Sequence, residues 1–177
     1  MSKELSQLPN AREQIITAYL KLLEDYSPQQ ISVKQIVAEA AVSRSTFYLH
    51  FEQKEQIQLT LQTYVREQFL LFYHGTPTKK HGEYTTYFLC QHILKYRNYY
   101  KWAFQQPDEI HYLSSELEIY LARVYEDDDY AIFASYGTVG YLKKWVEEGF
   151  VISPFEAAEK LMKIGFTNWA DSVKRDI

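Results

Sequence analysis

The chain has 177 residues, of which 46% are hydrophobic and 24% charged, with a formal net charge of −4. That length and apolar content exclude a disordered chain and allow one or two domains, while a single cysteine excludes an intrachain disulfide framework and suits a reducing cytosol. The acidic balance does not advertise nucleic acid, so a DNA-binding reading must rest on where charges sit and not on their sum.

In chain order, residues 1–9 read as a polar tail and not as a signal peptide. Asn10 and Glu13 then form a cap pattern. Ile15, Ala18, Tyr19, Leu22, Leu23 and Tyr26 follow as one helical stripe, and Ser27-Pro28 ends it. Val33, Ile36, Val37 and Ala40 predict a second, two-turn helix, opened by a capping box from Ser32 to Gln35. After Ala41-Val42, Ser43 caps a third helix that Phe47 and Phe51 would pin to the second. Arg44, Ser45, Thr46, Tyr48 and His50 lie wholly or partly off the buried side.

Two short helices joined by a tight turn are helix-turn-helix grammar, in which the second helix enters the major groove. Ser45 and Thr46 permit close approach, and Arg44 can reach a guanine edge or a phosphate. Tyr48, His50 and Lys54 have the length and donors to grip phosphates. Residues 1–55 carry six cationic against seven anionic side chains. Lys34, Arg44 and Lys54 belong to the expected contact surface, whereas Glu13, Glu24 and Asp25 lie on the first helix.

Residues 42–55, Val-Ser-Arg-Ser-Thr-Phe-Tyr-Leu-His-Phe-Glu-Gln-Lys-Glu, resemble the signature of the tetracycline-repressor-like (TetR) family. The upstream run Ile-Ser-Val-Lys-Gln-Ile-Val-Ala-Glu-Ala-Ala fits it as well, and the resemblance spans roughly residues 10–65. It implies DNA contacts from Ser43, Arg44, Ser45, Thr46, Tyr48 and His50, from Val33 and Lys34 on the preceding helix, and from Lys54. Two positions depart from the family pattern. Ala41 stands where Gly is usual in the turn, and Ser45 where Gly, Ala or Pro is common. A left-handed Ala41 would cost on the order of 1 kcal/mol.

A long helix is predicted over about 53–73, followed by a loop through residue 82. Four further helical segments are expected, at about 83–105, 109–127, 129–148 and 154–174. The segment 129–148 is apolar over a wide arc and holds Gly137 and Gly140 despite a helical penalty of roughly 1 kcal/mol each. Such a helix should be buried on several sides. Phe133 to Trp145, with the Ser153-Pro154 helix start, also resembles the C-terminal half of short TetR-type regulators from Gram-positive bacteria. That resemblance implies a homodimer in which the last two helices form a four-helix bundle with their symmetry mates. Its contacts would be Phe133, Tyr136, Gly137, Gly140, Phe155, Ala158, Met162 and Trp169.

The chain holds 16 Tyr, 10 Phe and 3 Trp, with many in residues 84–120. The resemblance implies an effector among the helices of the body, and Tyr84, Tyr87, Phe88, Gln91, Tyr99, Trp102 and Tyr112 are the candidate contacts. The alternative is ordinary core with tyrosine hydroxyls reaching water. No phosphate loop, metal-ligand spacing or nucleophile–base set emerges, so no enzyme activity, metal or cofactor is expected.

The expectation is an all-α chain with a helix-turn-helix domain at 1–52 and an effector-binding and dimerisation domain at 53–177. Its function would be that of a cytoplasmic, homodimeric, effector-responsive repressor on a palindromic duplex-DNA operator, without a membrane segment. A second reading keeps the fold but makes it a co-regulator that senses a partner protein through the body, with weak or no DNA binding.

Overall fold

A computed structural model describes residues 10–73 and 79–165, with side chains described from residue 85 onward in the second stretch. All regular structure among them is helical. The elements are α1 (Ala11–Leu22), α2 (Val33–Glu39), α3 (Arg44–His50), α4 (Glu55–Leu71), α5 (Lys79–Lys95), α6 (Arg97–Ala103), α7 (Pro107–Tyr125), α8 (Asp128–Glu147) and α9 (Pro154–Gly165). The chain divides into two compact units, Met1–Glu67 and Gln68–Ile177. That cut falls within α4, all of which the sequence reading counts with the body.

In the first unit each short helix begins at a side-chain cap. Asn10 Oδ1 accepts the Glu13 amide at 2.9 Å. Ser32 Oγ accepts from the Gln35 amide while Gln35 Oε1 accepts from the Ser32 amide, a reciprocal capping box. Ser43 Oγ accepts the Thr46 amide at 2.9 Å. The core is Ile15, Tyr19, Ile31, Ile36, Phe47, Phe51, Ile57 and Leu61, all nearly or fully buried. Capping supplies orphan amides with acceptors, but tertiary burial is what holds helices only seven residues long.

The turn after α2 is a Schellman motif. The Val42 amide donates to the Val37 carbonyl and the Ala41 amide to that of Ala38, with Ala41 left-handed at φ 54°. The same device ends α8, where Gly149 has φ 76° and the Phe150 amide donates to the Trp145 carbonyl. There the Trp145 and Phe150 rings meet edge-on at 5.0 Å. The Trp145 indole N–H donates to the Ile152 carbonyl, which ties down the connection to α9.

In the second unit α7 packs along α8, and α5 along α9. Leu89, Cys90, Ile93, Tyr100, Leu117, Val139, Leu142 and Trp145 are buried there. Burial pushes the Cys90 thiol up to about 12. The segment expected as one helix over 83–105 is two, broken at Tyr96 (φ −104°, ψ 30°). No Pro or Gly marks the break. Aromatic packing accompanies it instead, with the His92 ring 4.9 Å from Tyr96 and 5.9 Å from Tyr100. The far end expected for α9, including Trp169, lies outside the described residues.

Candidate nucleic-acid interface

The α2–turn–α3 arrangement leaves one side of α3 open to solvent. Ser43, Arg44, Ser45, Tyr48 and His50 are exposed, Thr46 is half-buried, and Phe47 on the opposite side is fully buried. Lys34 is exposed and Val33 half-buried at the start of α2. The hydroxyls are organised among themselves. Ser43 Oγ lies 2.8 Å from Ser45 Oγ and 2.7 Å from Thr46 Oγ1. The Arg44 guanidinium sits 5.9 Å from the centre of the Tyr48 ring, and that ring stands edge-on to Phe47 at 5.3 Å. Arg44 is therefore steered along α3 by a cation–π contact. Leu49, which sequence reasoning passed over, is 82% exposed on the same helix. An apolar side chain there suits a thymine methyl. The signal available in the sequence was its place between Tyr48 and His50, outside the Phe47–Phe51 pair.

Beside α3 lies an open recess of about 410 Å³, walled by residues 29–33, Tyr48 and residues 52–55. It brings the start of α2, the middle of α3 and the start of α4 to one place on the head. Lys54 is at its edge, but its ammonium group is committed. Nζ donates to the carbonyls of Pro28 at 3.0 Å, Gln29 at 3.0 Å and Ile31 at 2.6 Å. Three donors meet three acceptors, so this lysine fastens the turn that leads into α2. Glu52 and Glu55 share the same wall, and a phosphate there would meet two carboxylates. Lys21 pairs with Glu39 elsewhere on the head.

In the body the residues expected to contact an effector differ widely in exposure. Phe88, Gln91 and Tyr112 are exposed, Tyr87 and Trp102 half-buried, and Tyr99 buried. Tyr87 is bound to its own helix and to α9: its hydroxyl accepts from Gln91 Nε2 at 2.6 Å, and its ring meets Phe155 at 6.1 Å. The Tyr84 side chain lies outside what is described. A cavity does exist, but between α5, α7, α8 and α9, and none of those six residues lines it.

The residues expected at a dimer contact fall into three groups. Phe133, Tyr136, Gly137 and Gly140 make an exposed stripe along α8, with Phe133 60% exposed. A Cβ built on either glycine meets no described atom within 4 Å beyond its chain neighbours and its own helix backbone. Phe155 is 58% exposed on α9 and Met162 half-buried, whereas Ala158 is buried within the protomer.

Residues 15–60 match the family of bacterial regulatory proteins described as tetR family. No curated protein sequence matches the chain at a significant level. Among solved structures, a transcriptional regulator (TerR/AcrR family) from Aquifex aeolicus VF5 superposes with a TM-score of 0.70 at 17% identity, over 89% of this chain and 100% of that one. SmeT, the repressor of the Stenotrophomonas maltophilia multidrug efflux pump SmeDEF, gives 0.67 at 15% identity, over 92% and 90%. The dihydroxyacetone kinase operon activator DhaS gives 0.65 at 16% identity, over 93% and 97%. At these identities the likeness is one of fold.

Proposed function

We propose that this chain, which carries the TetR-family DNA-binding domain at residues 15–60 and the fold of TetR-family regulators, is an effector-responsive repressor that acts as a homodimer on a near-palindromic operator. The observation that carries the reading is the open side of α3, with Arg44, Ser45, Tyr48, Leu49 and His50 in water above a buried Phe47. Arg44 and Leu49 have the chemistry to read base edges. Lys34, Tyr48 and His50 have the chemistry to hold phosphates. Lys54 fixes the turn beneath them. The exposed α8 stripe, with two glycines that no neighbouring element among the described residues requires, supports self-association through α8 and the start of α9. Among the described residues no helix is long and apolar enough to cross a membrane, and a cytoplasmic site of action accords with that.

The repressor sense is supported by one structural relative and opposed by another, since SmeT is a repressor and DhaS an operon activator. Selection of bound fragments from random duplex DNA, followed by a reporter gene driven from the selected site, tests both parts. Enrichment of one sequence and higher expression on deletion of the regulator are the expected results. No enrichment would remove the DNA-binding role.

One observation favours the second reading, a co-regulator that senses a partner protein. The recess on the head is walled by Glu52 and Glu55, and the single lysine in that wall is occupied. If duplex selection fails while the folded dimer persists, that reading takes its place.

A further inference from the structure

The cavity in the body measures about 170 Å³. Tyr73, Tyr125, Tyr130 and Phe133 supply its rings, and Thr86 and Thr138 its other polar side chains. Among the described residues no acidic, basic or histidine side chain lines it. Tyr125 and Tyr130 meet edge-on at 5.0 Å, so the wall is itself an aromatic packing surface.

Three properties define what such a space accepts. Its volume is of single-ring size, since an apolar cavity of about 150 Å³ takes up benzene. Its lack of charge disfavours an ion, because a charge moved out of water without a partner is strongly destabilised. Its tyrosine and threonine hydroxyls can each donate and accept, so one hydroxyl or carbonyl on an occupant can be matched. We propose that this cavity is the effector site, and that its ligand is a neutral, single-ring aromatic molecule bearing one hydroxyl or carbonyl group. The proposal rests on the regulator reading above. Phe133 and Gly137 belong both to the cavity wall and to the exposed α8 stripe, so an occupant touches residues of the proposed dimer contact. Ligand and second copy are then linked, and each must alter the affinity of the other by the same factor.

The test is calorimetric titration of the full-length protein at neutral pH with phenol, toluene, benzoate and benzylamine. Phenol is expected to bind, with the two ionised rings at least tenfold weaker. Ala134→Leu places added carbons in the cavity from a wall position outside the α8 stripe, and should raise the phenol dissociation constant at least tenfold without changing sedimentation. Thr138→Val keeps the shape and removes one hydroxyl. It gives an independent reading if the larger variant does not fold, and should lower the preference for phenol over toluene several-fold. Equal affinity for charged and neutral rings, no phenol binding at millimolar concentration, or an unchanged phenol-to-toluene ratio in Thr138→Val would each overturn the proposal. Phenol binding seen only where the chain is monomeric would assign the cavity to a second copy, and would overturn it too. Duplex selection is read separately. Selected DNA without phenol binding removes the cavity inference alone, whereas phenol binding without selected DNA removes the regulator reading alone.

Discussion

Ala41 holds φ 54° in the turn between α2 and α3. A side chain with a Cβ is strained there by roughly 1–2 kcal/mol, and Gly is not, although Gly loses more chain entropy on folding. Ala41→Gly should therefore stabilise the head by about 0.5–1 kcal/mol. The measure is a urea midpoint that rises while the slope stays constant. Lys54 gives a second test. Lys54→Met strips the donor from three carbonyls, at an expected cost of about 1–3 kcal/mol. DNA affinity should fall for all sequences with the salt slope unchanged. A slope shallower by about one unit would restore the phosphate role that length and charge alone suggest for this lysine. That alternative was the natural reading of the sequence, because the carbonyls it binds lie 23 to 26 residues away and no local pattern announces such a pairing.

At the level of helices, legibility followed the capping residues. α2 and α3 were readable because Ser32, Gln35 and Ser43 are short-range signals whose partners lie two or three positions away. The α5–α6 break was not, because no Pro or Gly marks it and the rings packed there lie on neighbouring turns. The surroundings of the effector candidates were hidden for a related reason. Counting aromatics along 84–120 cannot tell Tyr99, turned inward, from Phe88, turned to water. The cavity draws its rings from three separate places, at Tyr73 after α4, Tyr125 on α7, and Tyr130 with Phe133 on α8. The α8 glycines were legible as an anomaly, and the structure sharpens it. Since no described atom beyond its chain neighbours and its own helix backbone lies within 4 Å of a Cβ at Gly140, Gly140→Ala should raise protomer stability by up to about 1 kcal/mol through helix propensity. Gly140→Leu should fold equally well as a protomer but lose self-association, through overpacking against the second copy. Sedimentation beside thermal melting separates the two effects. A wild-type monomer at micromolar concentration, or a dimer untouched by Gly140→Leu, would remove the α8 stripe from the interface.

For the whole molecule, self-association through a two-fold axis presents two identical copies of α3. The operator should then be a near-palindrome, with half-sites about one helical turn apart, near 34–36 Å, or a multiple of that. Footprinting on the selected duplex checks this. A single asymmetric footprint would argue against two-fold recognition.

Cys90 is the one sulfhydryl of the chain, fully buried and with its acidity suppressed by burial. Its consequence is practical. It is the thiolate that attacks alkylating and disulfide reagents, so at neutral pH the native chain should be inert to them until the body opens. The pace of labelling then clocks that opening, residue-specifically and without an added probe. The same silence leaves room for a second sulfur. A cysteine introduced at Ser45 can carry a spin label or a fluorophore on α3, while the native position stays dark. In the proposed dimer the distance between the two α3 copies can then be read directly, with phenol present and absent.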